Sequence, residues 1–416
     1  MEYPINAIGI NQKEGRVMDV YFDNAATTSL SDSALKAMLP ALTTAYGNPS
    51  SLYGKGQEAS RLLENARQRI AHCLGAKPQE IYFTSGGSEA DNWAITQAAA
   101  LGARKGKRRI ISTTFEHHAV LHTLDRLAEQ GFEIILLDVH EDGLVRPDEL
   151  RSAIDDQTAL VTIMYANNEI GTIQPIAELG AICREKGVLF HTDAVQVVGH
   201  LPIDLQSLPV DLLSLSGHKF HGPKGIGALY IRQGIALTSF IAGGAQERGK
   251  RAGTENVAAI CGMAQALQDA CTELIRTEPR VTALRDKLID GVLRTIPKSR
   301  LNGDRTRRLA GNASFCFEGL EGESLLLRLD LAGISASSGS ACTSGSLDPS
   351  HVLLAIGLPK EIAHGSLRLS LDELNTEAEV DYVLAQLPDI IETLRDMSPV
   401  WEELMKKEAP CYGHAL

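Results

Sequence analysis

The alternation of short β-branched runs with helical patterns, between about residues 60 and 265, most constrains the fold. Amphipathic segments separate these runs, as in QPIAELGAICREKG, where Ile176, Leu179 and Ile182 fall at helical spacing and Gly187 is a stop signal. Several runs are too continuously apolar for a half-exposed strand. The strand candidates are EIYFTS, RRIISTTFEH, FEIILLDV, ALVTIMYANN, GVLFHTDA, VDLLSLSGHK and GIGALYI. Such alternation predicts an α/β fold, with a mostly parallel central sheet covered by helices.

The pattern changes after about residue 265. Helical patterns there lead to two short strand patterns, NASFCFEG and GSLRLSL, and to a final helix. We therefore predict an N-terminal extension over residues 1–17 and a large domain over 18–264, whose first residues pack with the small domain. A smaller α+β domain is predicted over 265–416, with a mobile loop at about 335–350.

Charge, hydropathy and cysteine usage narrow the class of protein. The net charge of −12 argues against nucleic-acid binding, which needs a basic surface. The longest apolar runs have the length of strands and fall short of the roughly 20 residues of a membrane span. The seven cysteines are scattered without a C-x-x-C pair, which is typical of reduced thiols, and the N-terminus has neither a secretory nor a transit pattern. These features predict a soluble, cytoplasmic protein.

Polar residues follow five of the predicted strands, in TSGGSE, TFEHH, YANNE, HTDAVQ and SGHKFH. Ligands of open α/β sheets bind outside the carboxyl ends of the strands. Five such endings in succession, each with ionisable or amide groups, predict one shared site.

Lys219 and Asp193 suggest what that site holds. Lys219, between two histidines at a strand end, is either a solvated loop lysine or a Schiff-base lysine. Asp193 could pair with a pyridinium nitrogen, as pyridoxal phosphate enzymes require. Gln196 is a donor to the phenolic oxygen of that cofactor or an ordinary surface glutamine.

A phosphate cradle is predicted in FTSGGSEADNWAI, where a strand, the turn Ser85–Ser88 and a helix succeed one another. His117 could stack on a cofactor ring and transfer protons. A competing hypothesis is a metal site among the histidines. Because no ligand spacing supports it, we predict no intrinsic metal. The histidines considered are His117, His118, His191, His218 and His221.

Cys342 lies in a serine- and glycine-rich stretch, ISASSGSACTSGSLDPSHVL, which predicts an exposed, mobile loop. A thiol there is either a nucleophile or incidental. Arg368, within a strand pattern, is either a clamp for a substrate carboxylate or a surface residue.

The motifs together resemble the cysteine desulfurases of the NifS/IscS type, in the class-V aminotransferase group of fold-type I pyridoxal phosphate enzymes. The resemblance runs in order from about Val20 to near residue 400. It rests on YFDNAATT, YGNPSS, FTSGGSEADN, NNEIGTIQPI, HTDAVQ, SGHKFHGPKGIGALY, GGAQERGKRAGTENV and SSGSACTSGSLDPSHVL.

This resemblance implies a role for each candidate residue. Catalysis would fall to Lys219, which forms the Schiff base, to His117, which stacks on the ring and moves protons, and to Cys342, the sulfur acceptor. Asn168 and Arg368 would hold the substrate. The cofactor would contact Gly87, Ser88, His117, Asn168, Asp193, Gln196, Ser216, His218 and Lys219, with Thr254 supplied by the other subunit of a homodimer.

The implied reaction removes sulfur from L-cysteine, which leaves L-alanine and a persulfide on Cys342. The sulfur would pass to an acceptor, such as an iron–sulfur scaffold protein, and Cys342 could transiently ligate a cluster. The alternatives are a selenocysteine lyase, or another pyridoxal phosphate-dependent lyase or transaminase on the same fold. One departure is Tyr53, where many members of the family have histidine.

Overall fold

A computed structural model of the chain describes residues 18–339 and 349–408. Its elements up to residue 256 alternate much as the sequence predicts. In chain order they are β1 (Val20–Tyr21), α1 (Asp32–Thr43), α2 (Gly54–Cys73), β2 (Ile81–Thr84), α3 (Gly87–Ala103), β3 (Arg109–Thr113), α4 (His118–Glu129), β4 (Glu133–Leu137), α5 (Pro147–Ala153), β5 (Thr158–Thr162), α6 (Ile176–Glu185), β6 (Leu189–Asp193), β7 (Leu212–Ser216), β8 (Gly227–Ile231) and α7 (Gln246–Gly249).

The remaining elements begin with one long helix and then mix short strands with helices. They are α8 (Val257–Thr295), β9 (Ser299–Leu301), β10 (Asn312–Phe317), α9 (Gly322–Leu331), β11 (Ile334–Ser335), α10 (His351–Ala355), α11 (Lys360–Ala363), β12 (Ser366–Ser370), α12 (Glu377–Asp396) and α13 (Pro399–Glu408). Short 3-10 turns occur at Pro78–Glu80 and Gly217–Lys219.

The seven predicted strands form one sheet in the order β2-β8-β7-β6-β5-β3-β4. The run from β7 to β4 is parallel, and β8 is antiparallel to both β7 and β2. The mostly parallel sheet is thus confirmed. Every residue of β5, β7 and β8 is buried, as their continuously apolar sequences require.

Neighbouring residues of these strands face opposite sides of the sheet and enter different hydrophobic cores. Leu212 packs in a core with Trp93 of α3 and Leu124 of α4, whereas Leu213 packs in a core that includes Ile260 of α8. Helices therefore cover both faces of the sheet, as the sequence predicts. The polar strand ends are left as the place for a ligand.

A third core lies among the later elements. It includes Val292 of α8, Phe315 of β10 and Leu369 of β12, and it also takes in Val20 and Phe22 from the start of the described chain. β10 pairs antiparallel with β9 and β12, while β1 pairs with β11. The domain boundary predicted at 264/265 falls inside α8, and the division of the chain into domains stays a prediction.

Over residues 18–339 and 349–408, no helix combines the length and the apolar character needed to cross a lipid bilayer.

Candidate active site

Lys219 lies at the carboxyl end of the sheet, in the 3-10 turn that follows β7. Its Nζ donates hydrogen bonds to the carbonyl oxygens of Ala25 (2.6 Å) and Ala26 (2.7 Å). The neighbouring parallel strand β6 ends at Asp193, which is in register with Ser214 of β7. Adjacent strand ends thus bring Lys219 and Asp193 to the same region of the sheet.

Asp193 is a buried carboxylate within the electrostatic reach of Lys219. Its side chain accepts a hydrogen bond from the Val195 N–H at 2.9 Å. Burial raises the pKa of Asp193 to about 6, while the Val195 hydrogen bond and the positive charge of Lys219 act in the opposite direction. A cation beside this carboxylate would be strongly favoured, and a pyridinium nitrogen supplies one.

Two further buried acids surround Asp193, and sequence reasoning did not single them out. Burial, followed by the charge of Asp193, raises the pKa of Asp91 well above its ordinary value. Burial also raises the pKa of Glu116, to about 8, although the Met164 N–H and the Thr113 hydroxyl donate to it. Three buried carboxyl groups, Asp91, Glu116 and Asp193, therefore lie close together. A ligand with a positively charged group next to Asp193 would be favoured there.

His117 is the N-cap of α4. Its Nδ1 accepts a hydrogen bond from the Ala119 N–H at 3.1 Å, so the ring proton of the neutral form is carried by Nε2. Burial, together with the charges of Lys219, His118 and His122, lowers the pKa of His117 to about 4. At neutral pH the ring is therefore uncharged, which suits stacking and proton transfer.

The predicted phosphate cradle lies at the start of α3, whose first residue is Gly87. A Cβ at this position would lie only 2.6 Å from Cγ2 of Val195 and 3.6 Å from Cβ of Ser216, so the close packing requires glycine. Ser88 follows in the first turn and is exposed. The first N–H groups of a helix lack intrahelical partners and favour an anion, and Gly87 and Ser216 meet at this point.

The segment 25–28 connects the other cofactor candidates. Gln196 donates from Nε2 to the Ala25 carbonyl at 3.0 Å, and Nδ1 of His218 lies 3.1 Å from the Thr27 hydroxyl. Burial, with the charges of Lys219 and Lys224, lowers the pKa of His218 to about 4. Both side chains therefore belong to the same neighbourhood as Lys219.

Arg368 lies on β12 with only 5% of its surface exposed. Its Nη2 donates to Oδ1 of Asp23 at 2.8 Å and its Nη1 to the Asn168 carbonyl at 3.1 Å. The two predicted substrate contacts, Asn168 and Arg368, are thus neighbours. Asp23 is an acceptor that a substrate carboxylate could replace.

Two predicted site residues are not among these contacts. Cys342 lies outside the described residues, and Thr254 is exposed in the segment before α8. The residues on either side of 340–348 meet at a buried acid, Glu169. The Ser350 hydroxyl donates to Oε2 of Glu169, and a Cβ on Gly339 would lie 2.9 Å from that same oxygen.

Glu169 was not predicted, although it follows Asn168 directly. Burial raises the pKa of Glu169 to about 7, against the Ser350 hydrogen bond and the charge of Arg368. The only available signal was an acidic residue within the polar strand ending YANNE. Glu169 thus connects the charge of Arg368 with Ser350, which lies just after segment 340–348.

Comparisons with known proteins identify the family of the chain. Residues 20–383 match the family described as Aminotransferase class-V. The chain is 52% identical over 391 residues to a protein named cysteine desulfurase IscS from Clostridium botulinum, with 94% of this chain and 98% of that one covered. It is 55% identical over 381 residues to a protein of the same name from Methanosarcina thermophila, with 92% and 94% covered.

Solved structures also resemble the chain. A NifS-like protein superposes with a TM-score of 0.85 at 41% identity and covers 91% of this chain and 100% of its own. A structure described as SspA in complex with cysteine gives a TM-score of 0.75 at 36% identity and covers 85% and 99%. The chain therefore belongs to the class-V aminotransferase family and, within it, to the cysteine desulfurases.

Proposed function

We propose that the protein uses pyridoxal phosphate to take sulfur from L-cysteine, releasing L-alanine and leaving a persulfide on Cys342. The observation that carries this proposal is the convergence of Lys219, Asp193 and His117, since the charge of Lys219 acts on both of the other groups. The desulfurase relatives favour this reaction over a selenocysteine lyase or a transaminase.

The cofactor would be held by a covalent link at one end of its ring and charge complementarity at the other. Lys219 would bond its aldehyde carbon, Asp193 its ring nitrogen, and Gln196 its phenolic oxygen. Gly87, Ser88, Ser216 and His218 would hold its phosphate. When bound, pyridoxal phosphate supplies an electron sink for bonds at the substrate's Cα.

The protein's own residues would orient the substrate and move its protons. Arg368 would bind the carboxylate of L-cysteine in place of Asp23, with Asn168 beside it. Lys219, once released, is the amine placed to accept the α-proton. His117, uncharged at neutral pH, can accept a proton from the incoming amino or thiol group and return it later.

Cys342 would complete the sulfur transfer as a thiolate. Its attack on the substrate sulfur forms an S–S bond while the Cβ–S bond breaks, and the Cβ electron pair takes up a proton. The balance is L-cysteine plus the Cys342 thiol giving L-alanine plus the Cys342 persulfide, so no external oxidant is needed. An acceptor thiol, such as that of an iron–sulfur scaffold protein, then receives the outer sulfur.

A homodimer is part of the proposal. An exposed apolar stripe runs along α1 through Leu35, Leu39 and Leu42, at spacings of four and three residues, and Tyr53, 63% exposed, lies in the same part of the chain. Solvent-exposed apolar stripes of this kind favour association. Thr254, exposed on its own chain, would contribute to the phosphate site of the partner.

The site of action is proposed to be the cytoplasm. The described cysteines, Cys73, Cys183, Cys261, Cys271 and Cys316, are all free thiols. Free thiols are typical of a reducing compartment.

The test is the conversion of L-cysteine to L-alanine by the purified protein with a thiol reductant present. We expect Lys219→Ala to abolish alanine formation and Cys342→Ser to abolish sulfur transfer. Cys73→Ser, which removes a different thiol that is partly exposed, should change neither.

Undiminished persulfide and sulfide production by Cys342→Ser would instead indicate a lyase in which this cysteine is incidental. Alanine formation by Lys219→Ala would refute the assigned cofactor lysine.

A further inference from the structure

Three metal-binding side chains meet beside the candidate active site, outside the machinery assigned to the reaction. His221 follows Lys219 by two residues, and Asp372 and Glu373 follow β12. Nε2 of His221 lies 3.1 Å from Oδ2 of Asp372 and 3.3 Å from Oε1 of Glu373. His221 and Asp372 are buried, and Glu373 is partly exposed.

The other ring nitrogen fixes the orientation of His221. Nδ1 lies 2.9 Å from the Ser29 carbonyl oxygen, which can only accept, so Nδ1 carries a proton. A histidine that ligates a metal usually donates its other N–H to a carbonyl or carboxylate in this way. Asp372 is oriented as well, since its Oδ1 accepts from the Leu374 N–H at 2.8 Å.

The position of the two carboxylates suits a metal ion at Nε2 of His221. Nε2 of His221 is buried, and in the described chain it makes no hydrogen bond of acceptable geometry, although both oxygens are near. An Nε2 proton would point between the two oxygens and be shared by them. Burial opposes this charged form of His221, but the two carboxylates raise its pKa to about 10, so a proton is the competitor that a metal ion must displace. Tetrahedral Zn²⁺ at about 2.0–2.1 Å from each ligand holds the ligand atoms roughly 3.3 Å apart, which matches these separations.

The charges of the three side chains also favour a bound metal ion. Two carboxylates beside one histidine, two of the three side chains being buried, need a compensating cation. All three ligand atoms lie within 4.8 Å of one another. A dication at their centre would neutralise both carboxylates and use the Nε2 lone pair, whereas a proton would compensate only one charge.

We propose that His221, Asp372 and Glu373 bind a divalent transition metal, with Zn²⁺ as the best fit to one nitrogen and two oxygen ligands. The three residues line part of a cavity of about 510 Å³, which offers a route of entry and room for a water molecule as the fourth ligand. This site could not be predicted from the sequence, because His221 lies far along the chain from both acids and no short spacing motif connects them.

The metal would connect the segment of the candidate cofactor lysine, Lys219, with the strand of the candidate substrate-binding arginine, Arg368. His221 lies two residues after the turn that carries Lys219, and Asp372 and Glu373 follow the strand that carries Arg368. Bound Zn²⁺ would therefore fix the lysine turn against the end of β12. Binding does not depend on the proposed sulfur transfer, since none of the three ligands is assigned to that reaction.

The experiment measures Co²⁺ and Zn²⁺ binding to the cofactor-loaded protein in a Cys342→Ser background, which removes a competing thiolate. Co²⁺ is a spectroscopic probe of tetrahedral sites, and Zn²⁺ is followed by equilibrium dialysis. We expect one metal ion per chain and a thermal midpoint that rises with Zn²⁺ concentration. Adding Asp372→Asn or Glu373→Gln should weaken binding at least tenfold.

His140→Gln is the matched control, because His140 pairs with Glu149 near the surface and lies outside the cluster. This variant should bind metal like its parent. Glu373 is partly exposed, so Glu373→Gln should fold even if Asp372→Asn does not, and the metal-free thermal midpoint checks folding. Unchanged metal binding in a folded Glu373→Gln variant, or no binding by the parent at millimolar Zn²⁺, would overturn the proposal in favour of a protonated His221.

Discussion

Replacing Asp193 by asparagine should have opposite effects on the protein without and with its cofactor. Without a cation at the ring-nitrogen position, burial holds the pKa of Asp193 at about 6, above its ordinary value of 3.8. The folded protein therefore retains a proton that the unfolded chain has already lost between these two pH values. Stability falls as pH rises through this window, and the loss is complete above pH 6.

The pKa difference sets the size of the effect. The difference between about 6 and 3.8 corresponds to a loss of about 3 kcal/mol in the free energy of unfolding at pH 8, and roughly half of that near pH 5. Asparagine cannot ionise and can still accept the Val195 hydrogen bond. We therefore expect cofactor-free Asp193→Asn to be more stable than the parent by amounts of this order, with the gain disappearing toward pH 4.

The cofactor should reverse this result. A pyridinium nitrogen would pair with the Asp193 carboxylate, so the variant should retain pyridoxal phosphate less well and turn over more slowly. The assay is urea unfolding at pH 5 and pH 8, with and without cofactor.

Asp204→Asn is the matched control for this assay. Its carboxylate also accepts from the N–H two residues on, at 3.1 Å, but is exposed. A cofactor-free Asp193→Asn that is less stable than the parent at pH 8, or that behaves like Asp204→Asn, would show that burial does not raise the pKa of Asp193.

Three further predictions concern other buried contacts. Glu247→Ala should lower the free energy of unfolding by about 3–5 kcal/mol, because the buried Arg67 donates to both carboxylate oxygens at 2.7 and 2.9 Å and would be left with the exposed Glu64 as its acidic partner, while the Phe83 N–H would lose its acceptor. A loss in urea unfolding below about 1 kcal/mol would contradict this. Glu169→Ala should slow persulfide formation about tenfold without loss of cofactor, because it removes the Ser350 hydrogen bond, whereas Glu169→Gln should retain most of the rate in single-turnover assays. Arg368→Lys should raise KM for L-cysteine by about 10- to 100-fold with a smaller effect on kcat, since lysine cannot make a bidentate contact with a carboxylate. An unchanged KM would show that Arg368 does not bind the substrate.

The local sequence pattern was sufficient for the elements of the large sheet. Largely apolar runs such as LLSLS, whose two polar residues are small serines, predicted strands buried on both faces, and β7 has that burial. The polar residues after these runs predicted the site because parallel strands end at one edge. Lys219 and Asp193 could thus be placed together without knowledge of long-range contacts.

Pairing between distant segments could not be predicted in the same way. Nothing local to β8 shows that it runs antiparallel between β2 and β7. The contact between Glu169 and Ser350, and the meeting of His221 with Asp372, also join residues far apart in the chain. Their side chains are ordinary in their local sequence, and only the packing of the later elements against the sheet gives them partners.

The most direct measurement is tandem mass spectrometry of the cofactor-loaded protein after brief incubation with isotopically labelled L-cysteine. We expect one labelled sulfur atom on the peptide that contains Cys342, lost when an acceptor thiol is added and absent from Lys219→Ala. Label on another cysteine, or labelled Cys342 in the Lys219→Ala variant, would rule out sulfur transfer from L-cysteine to Cys342 through Lys219.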